Sequence, residues 1–353
     1  MRERDTLAGS GSGRGPRIRS ARSERSGSMS STSGNSGAGV TVRDRGAKAR
    51  AAATASVGIR SVVVPVDLSA ISDRVLGRVA RLPLAADARV TLVHVAPSSA
   101  SASEGRRTMR AAGDALAHEA AHLRTALPAT VRVECVVRDG GAAAEITAIA
   151  KEKSAELIVM GRGGSRALRD AFLGSTAERV IRAARRPVLA VRLSPRAAYA
   201  RPAAAVDLDA SVPRVIAWLL RVADGSAQRV EVIHALRTPF EGRAYSGAAP
   251  EDVAERRAEL RRAAADALGV SVGQGFALRN GRSLPPRWAL HLLQGAPRTA
   301  VPAAVERSRV DLLALGTRGP SGLSQAFVGS VAGDLLRTLS CDVLMVPPAA
   351  STA

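Results

Sequence analysis

The sequence predicts an α/β fold of two doubly wound domains in tandem, each with a five-stranded parallel sheet covered by helices on both faces. From Arg60 onward, short apolar runs alternate with segments of helical length, as in strand–helix–strand units. The pattern then recurs, because Asp67 aligns with Asp207 and His94 with His234, each at an offset of 140 residues. A glycine-rich loop also follows the fourth apolar run of both copies. Parallel strands need crossover connections, and right-handed ones are the rule.

The first repeat contains five runs rich in Val, Ile and Leu, the composition of strands buried on both faces. They predict strands near 60–67, 89–96, 131–138, 156–160 and 187–192. The segments between them predict helices near 70–82, 103–126, 142–153 and 175–185.

The second repeat predicts strands near 202–207, 229–236, 287–294, 310–315 and 342–346. Gly161 aligns with Gly316 at an offset of 155, so fifteen residues are gained between its second and third strands. We place them in a long surface loop at 269–286, where Gly and Pro are frequent. Gly140 to Gly161 and Gly295 to Gly316 both span 21 residues, so the later half of each repeat keeps its register.

Composition divides the chain further. Residues 1–57 are dominated by Ser, Gly, Arg and Ala and are expected to be a disordered basic tail. The first domain is placed at 58–193 and the second at 201–348. The intervening 194–200 forms a linker, and 349–353 is a short tail.

The net charge of +20 comes almost entirely from arginine, which fits an arginine-rich coding composition as well as anion binding. Nucleic acid is therefore not an expected partner. No apolar run approaches the roughly 18 residues of a membrane helix, and the N-terminus lacks the apolar core of a signal peptide. We expect a soluble, cytoplasmic protein that does not bind membranes.

Two cysteines, Cys135 and Cys341, lie in strand-like runs of different repeats. A disulfide framework is not expected, and both are interpreted as buried, inert thiols.

The two glycine-rich loops share the spacing G-x2-G-x9-G-S. It occurs at Gly161, Gly164 and Gly174-Ser175, and again at Gly316, Gly319 and Gly329-Ser330. Glycine has no Cβ and tolerates positive φ, so successive N–H groups can turn toward an anion. A helix beginning at the serine adds free N–H groups and the positive end of its dipole. The spacing therefore predicts a phosphate-binding loop in each repeat.

The ordered motifs resemble the universal stress protein family. They are a VxVDLS-like first strand at 64–69, LVHV at 92–95, LIVMG at 157–161 and the glycine-rich loop, and the resemblance covers about 58–348. It implies an adenine-nucleotide alpha hydrolase-like, Rossmann-like fold, and one branch of the family binds ATP.

In the first repeat, the resemblance implies that Asp67 lies at the adenosine end of the pocket, where a carboxylate accepts hydrogen bonds from ribose hydroxyls or adenine N–H groups. Pro65 and Val66 lie beside it, and Val95 lines the adenine slot. The residues implied to surround ribose and phosphates are Gly161, Gly164, Gly174, Ser175 and Thr176.

In the second repeat, the resemblance implies a corresponding set. Its members are Val206, Asp207, Ala235, Gly316, Gly319, Gly329, Ser330 and Val331. Ala205 replaces Pro65, and the strand begins with small alanines that would widen the adenine slot. We expect weaker nucleotide binding there.

Several of these residues have ordinary structural interpretations as well. Asp67 could cap a helix or belong to a solvated turn. His94 and His234 are interpreted as core or hydrogen-bonded histidines rather than reactive groups. Phe172 and Phe327 are interpreted as core anchors for the glycine-rich loops.

A zinc-site pattern, HExxH, occurs at His118, Glu119 and His122. Such a pair on a helix can bind zinc, with the glutamate as general base. The aligned helix of the second repeat lacks histidine, and Glu145 is the one third ligand that can be named. We interpret the pattern as a solvated helix face without metal and keep a metallohydrolase as an alternative.

Together with the glycine-rich loops, the resemblance implies an ATP-binding, stress-response regulatory protein that uses magnesium with ATP. It contains no G-x4-G-K-[ST] loop and no evident acidic pair, so at most slow hydrolysis is expected. The alternative within the family acts by protein contacts without nucleotide. An unidentified protein partner is expected, and the repeats are expected to form an intramolecular pseudo-dimer through 187–192 and 342–346. A homodimer of two chains is left open.

Overall fold

A computed structural model describes residues 58–98, 101–163, 173–223, 229–236, 250–278, 287–317 and 329–349. The predicted disordered tail at 1–57 lies outside the described residues, as do Phe172, Phe327 and the middle of both glycine-rich loops.

The first repeat alternates strands and helices as predicted. Its elements are β1 (Ile59–Pro65), α1 (Ala70–Val79), β2 (Leu84–Ala96), α2 (Ala102–Ala126), β3 (Arg132–Asp139), α3 (Ala142–Glu152), β4 (Leu157–Gly161), α4 (Ser175–Ala183) and β5 (Val188–Val191). The helix starts follow local chemistry. Ser69, for example, caps α1 by accepting a hydrogen bond from the Ile71 N–H.

The second repeat has the same order of elements. They are β6 (Pro202–Ala205), α5 (Val212–Ala223), β7 (Arg229–Leu236), α6 (Pro250–Ala277), β8 (Arg287–Gln294), α7 (Pro297–Arg307), β9 (Leu312–Gly316), α8 (Ser330–Thr338) and β10 (Asp342–Val346).

All ten strands belong to one sheet, in the order β3-β2-β1-β4-β5-β10-β9-β6-β7-β8. Strands within each repeat are parallel, whereas β5 and β10 pair antiparallel, with Leu189 opposite Leu344. The repeats thus meet through the two strands that the sequence indicated. Because the seam is antiparallel, the carboxyl ends of the two half-sheets lie at opposite edges of the common sheet.

Helices cover both faces of the sheet over two aliphatic layers, and each layer includes residues from both repeats. Leu92 and Leu312 belong to one layer, Ile158 and Leu313 to the other, and all four side chains are fully buried. The predicted doubly wound α/β fold is therefore confirmed, and its core continues across the seam.

The loop predicted at 269–286 is wrong for its first part, since α6 continues to Ala277. Glycine is usually unfavourable inside a helix. Here the buried side chains of Leu268 and Val272 pack this end of α6 against the core. Gly275 lets α6 approach α5 closely, because a Cβ there would lie 2.6 Å from the Ile216 Cβ. Tertiary packing overrides the local glycine signal.

The buried faces of α2 and α6 also relocate the fifteen extra residues. Ala112, Leu116 and Ala120 match Ala264, Leu268 and Val272, each at an offset of 152. Twelve of the fifteen residues therefore precede this buried face, eight of them between β7 and α6 and four in the first turn of α6, and three follow it.

The connection between the repeats is held by Asp342, a fully buried carboxylate at the start of β10. It accepts hydrogen bonds from the N–H groups of Arg192 and Leu193 at 2.8 Å and from the Tyr199 hydroxyl at 2.7 Å. Its second oxygen lies 3.2 Å from Nε of Arg78, which is also buried. Burial, and then the Asp342 charge, raises the pKa of Tyr199 well above its usual 10.0.

The cysteines differ from each other. Cys341 is buried as predicted, and burial raises the pKa of its thiol to about 12. Cys135 is exposed, so that part of the prediction is wrong. It lies on β3, an edge strand that has a neighbour on one side only. Among the described residues, the long helices are too polar to form a membrane span.

Candidate functional site

Each half-sheet has the strand order 3-2-1-4-5, so its direction of winding reverses between the first and fourth strands. At such a switch point, the carboxyl ends of two adjacent strands leave a crevice in which ligands bind. Asp67 follows β1 and Gly161 ends β4, which pair in the sheet. Asp207 and Gly316 occupy the same places after β6 and at the end of β9. The structure thus gathers the predicted residues at two switch points.

Asp67 is exposed and organises the turn that leads into α1. Its Oδ1 accepts hydrogen bonds from the N–H and hydroxyl of Ser69, at 3.1 and 2.6 Å, and from the Ser72 hydroxyl at 3.1 Å. The helix cap is Ser69 rather than Asp67. Since these bonds all use Oδ1, Oδ2 remains available to a ligand. Asp207 likewise accepts the Leu208 N–H through Oδ1, at 2.8 Å.

The two histidines make the same hydrogen bond in both repeats. Nδ1 of His94 lies 2.8 Å from the Val66 carbonyl, and Nδ1 of His234 lies 2.9 Å from the Val206 carbonyl. A carbonyl only accepts, so Nδ1 carries the proton, and in the neutral ring Nε2 is the acceptor. This bond fixes the residue before each aspartate. The interpretation of both as hydrogen-bonded histidines is confirmed.

The ends of the glycine-rich loops also match. The Gly174 N–H donates to the Arg162 carbonyl at 2.8 Å, and the Gly329 N–H donates to the Thr317 carbonyl at 2.9 Å. Each loop therefore leaves and returns through a hydrogen-bonded neck. Gly164 and Gly319 lie beyond the necks, outside the described residues.

The helices α4 and α8 begin at Ser175 and Ser330, as predicted, and Gly174 and Gly329 are their N-caps. Neither cap supplies a side-chain hydrogen bond. The first N–H groups of both helices, which include those of Thr176 and Val331, thus lack an intrahelical acceptor. They provide donors for an anion at the carboxyl edge of the sheet.

The expected reason for the loop glycines is only partly correct. Gly174 and Gly329 have φ of −66° and −52°, which other residues adopt freely. Among the glycines with described surroundings, positive φ occurs at Gly140 and Gly295 instead. Gly161 is required for space, because a Cβ there would lie 2.8 Å from Cγ2 of Ile71. Close packing of α1 explains this glycine.

The second switch point opens into a cavity of about 850 Å³. Every predicted second-repeat residue within the described ranges lines it: Val206, Asp207, Ala235, Gly316, Gly329, Ser330 and Val331. His234 also lines the cavity and is 5% exposed. The small side chain of Ala205, in place of Pro65, is part of the wall.

Helix α6 contributes cavity residues that the sequence analysis missed, among them Arg257, Leu260 and Arg261. Nε of Arg257 is buried without a hydrogen-bond partner in the described structure. The available signal was the spacing of two arginines four residues apart, which places both on one helix face.

The neck of the first loop has a contact that the described part of the second loop does not show. Arg162 is 3% exposed and donates to the Leu339 carbonyl and, at 3.0 Å, to the Arg337 carbonyl. Both carbonyls belong to the end of α8, whose other end lines the second cavity. The position after the strand glycine is Thr317 in the second repeat. The first loop neck is therefore joined to the helix that begins at the second site.

The HExxH pair lies on α2, with both histidines exposed. Nε2 of His118 and Nε2 of His122 are 3.0 Å apart, so one ring donates to the other. Glu145 lies on α3 beside Gly140. No group of three potential metal ligands occurs in the described part of the chain. The absence of metal stays a prediction.

Solved structures resemble this fold over most of its length. A functionally unknown protein, PA1789 from Pseudomonas aeruginosa PAO1, has a TM-score of 0.56 and 19% identity, over 84% of this chain and 95% of its own. A universal stress protein from Archaeoglobus fulgidus DSM 4304 also has a TM-score of 0.56, at 16% identity, over 83% and 98% of the two chains. At these identities, the likeness concerns the fold alone.

Curated relatives match shorter segments. Universal stress protein E of Escherichia coli K12 is 34% identical over 58 residues, or 16% of this chain and 18% of the relative. Universal stress protein MJ0531 of Methanocaldococcus jannaschii is 30% identical over 74 residues, or 20% of this chain and 44% of the relative. The matched segments thus span less than half the length of either relative.

The whole repeat pattern is matched by one sequence family. The model of the universal stress protein family matches residues 58–192 and again 200–347, which together are most of the chain. The two matches coincide with the two half-sheets that meet at β5 and β10. This chain therefore belongs to the universal stress protein family, with two family domains in tandem.

Proposed function

We propose that this protein binds ATP with magnesium and acts as a regulator in a stress response. The observation that carries the proposal is the second cavity, where a strand-end aspartate, apolar walls and an uncapped helix N-terminus meet. A nucleotide presents matching groups, namely hydroxyls, a flat base and an anionic phosphate chain. The first switch point repeats the aspartate, the hydrogen-bonded histidine and the uncapped helix.

The cavity assigns a part of the ligand to each group. Oδ2 of Asp207 would accept hydrogen bonds from ribose hydroxyls or an adenine N–H, since Oδ1 already bonds the Leu208 N–H. Val206 and Ala235 would flank the base. The N–H groups of Ser330 and Val331 would donate to phosphate oxygens.

This arrangement favours binding over chemistry. Main-chain N–H donors hold a phosphate chain in its ground state as well as in the transition state, so they add little to the rate of hydrolysis. Bound nucleotide would instead stabilise the folded chain and fix the ends of the loops 161–174 and 316–329. A protein partner would then read the altered surface of these loops. We propose little or no catalysis on this basis.

Proline substitution tests the main-chain donors without removing the helix. Proline lacks an N–H but is well accepted at the first helical position. Gly174 and Gly329 have ψ of 143° and 144°, which suits a residue that precedes proline. Ser175→Pro and Ser330→Pro should each weaken ATP binding at their own site about 10- to 100-fold, the usual effect of one hydrogen bond to a charged group.

Calorimetric titration with magnesium and ATP measures affinity and stoichiometry together. The matched controls are Ser175→Ala and Ser330→Ala, which remove the hydroxyls but keep the N–H groups. Wild-type protein should bind two nucleotides, and nucleotide released by denaturing the purified protein should be adenine nucleotide. A wild-type chain that neither releases nor binds adenine nucleotide would contradict the proposal and favour a family member acting by protein contacts alone.

A further inference from the structure

The cavity face of α6 carries two arginines that no part of the shared repeat pattern explains. Arg257 and Arg261 are four residues apart, and both line the cavity together with Leu260 and Ala264. Nε of Arg257 is buried without an acceptor in the described structure. An unsatisfied buried donor is costly, and a charged one more so. This atom therefore points to an acceptor that a ligand supplies.

The neighbouring arginines of the same helix behave differently. Nη1 of Arg256 lies 2.7 Å from a carboxylate oxygen of Glu259, and Nε of Arg262 lies 3.5 Å from the Ala258 carbonyl. Both side chains are exposed, as is that of Arg261, whereas Arg257 is half-buried. The arginines outside the cavity thus find partners within α6, while Arg257 keeps a donor unused.

The first repeat has no arginine at the two aligned positions. With the buried faces of α2 and α6 aligned at an offset of 152, Arg257 corresponds to Gly105 and Arg261 to Met109. The pair is a property of the second repeat rather than of the shared pattern.

The cavity therefore has an acidic side and a basic side. Asp207 and Asp209 line it where β6 ends, and the two arginines line it from α6. Asp209 is already occupied, because its Oδ1 accepts the N–H and hydroxyl of Ser211 at 2.8 and 2.5 Å. A ligand with hydroxyls at one end and anionic oxygens at the other satisfies both ends of this cavity.

We propose that Arg257 and Arg261 bind the phosphate chain of the nucleotide and make the second repeat the tighter of the two sites. The inference rests on the proposed function and reverses the expectation, drawn from Ala205 and its small neighbours, that this site is the weaker one. Guanidinium groups bind phosphate oxygens in paired, charge-assisted hydrogen bonds, and the N-terminus of α8 lines the same cavity. The nucleotide in the wider adenine slot of the second repeat is then held mainly by its phosphate chain.

The test compares Arg257→Ala/Arg261→Ala with Arg256→Ala/Arg262→Ala, which removes the same charge from positions of the same helix that do not line the cavity. Each variant is titrated with three probes: ATP with magnesium, adenosine, and inorganic tripolyphosphate. The cavity pair should weaken ATP and tripolyphosphate binding at the tighter site about 10- to 100-fold and leave adenosine within about twofold. The exposed pair should change all three by less than about threefold. Circular dichroism confirms that each variant is folded.

The outcomes separate this inference from the proposed function. Equal ATP affinity in the wild type and the cavity variant overturns the inference while nucleotide binding stands. An equal loss for ATP and adenosine also overturns it, because the arginines would then contact the nucleoside. Binding of tripolyphosphate without ATP keeps the arginine site and overturns the nucleotide proposal. Binding of neither probe by the wild type overturns both.

Discussion

The two repeats share their main-chain features and differ in the side chains around them. In both, a histidine donates to the carbonyl before the aspartate, a glycine N–H closes the loop neck, and a helix begins without a side-chain cap. Arg162 ties the first neck to α8, whereas Arg257 and Arg261 line the second cavity. The features that persist between the copies therefore reside in the backbone, while the surrounding side chains have diverged.

The junction between the repeats shows the same contrast at a buried position. Asp342 begins β10, and the residue at its place before β5 is Pro187, at the offset of 155. Only one repeat therefore supplies the carboxylate that holds the linker. The stability of the tandem arrangement is expected to depend on that one side chain.

Asp342→Ala is expected to have the largest effect on stability. It leaves the buried Arg78 guanidinium without its counter-charge and removes the acceptor of the Arg192 and Leu193 N–H groups. Removing one partner of a buried ion pair costs about 3–5 kcal/mol of unfolding free energy. Urea denaturation followed by circular dichroism measures it.

The control for this prediction is Asp334→Ala, which breaks two exposed ion pairs, with Arg298 and with Arg337. Its loss should be within about 1 kcal/mol. A similar, small loss for both variants would show that the asymmetry at Asp342 has no energetic role.

Much of this architecture was predictable from the sequence because strand and loop signals are local. Apolar runs placed every strand to within a few residues, apart from the early start of β2 at Leu84. The glycine spacing located both helix starts, at Ser175 and Ser330. Residues that act through contacts distant in sequence could not be predicted. The contact of Arg162 with Leu339, for example, spans 177 positions along the chain.

The end of α6 could not be predicted for the same reason. Three glycines between 269 and 275 weaken the helix signal, and the compensating contact is with Ile216, on a different helix. The basic pair was overlooked along with it, because assigning Arg257 to the cavity requires knowing where the insertion lies. Local propensity is a weak guide where tertiary packing decides.

Two glycine substitutions in α6 should change the unfolding free energy in opposite directions. They test how α6 differs from α2, where Leu123 occupies the position that corresponds to Gly275. Gly275→Ala puts a Cβ 2.6 Å from the Ile216 Cβ and 2.9 Å from the Pro213 carbonyl oxygen, so overpacking should cost about 1–3 kcal/mol. Gly273→Ala meets no atom within 4 Å and should add about 0.5–1 kcal/mol through helix propensity.

Both changes are measured as shifts in unfolding free energy by urea denaturation. If neither substitution alters stability, residues 269–277 behave as the loop that the sequence suggested, and the close packing of α6 on α5 is wrong.

The smallest expected effect on stability concerns an acidic residue that accepts a backbone N–H group near the first strand of each repeat. Glu156 precedes β4 and accepts the Arg60 N–H at 2.6 Å, while Asp311 precedes β9 and accepts the Arg201 N–H at 3.0 Å. Only Glu156 also pairs with an arginine of the other repeat, Arg221, at 2.7 Å. The repeats thus use one acidic position to hold the first strand, and the first repeat adds a link across the junction.

Burial raises the pKa of Glu156, but the Arg221 hydrogen bond and the Arg60 N–H outweigh it, so the pKa lies below its usual 4.5. A carboxyl with a lowered folded-state pKa contributes stability above the unfolded value and loses it as pH falls through the folded one. Glu156→Gln should therefore lower the unfolding free energy by up to about 1 kcal/mol at pH 7, with the difference from wild type shrinking below about pH 4.5. Urea denaturation from pH 7 to pH 3 checks this.

The same substitution in an Arg221→Gln background tests the source of the effect. There, the pH-dependent change in unfolding free energy caused by Glu156→Gln should be half as large or less, because Arg221 supplies the leading stabilising contact. A difference that grows toward acid pH would mean that burial dominates and that the link across the junction is strained rather than stabilising.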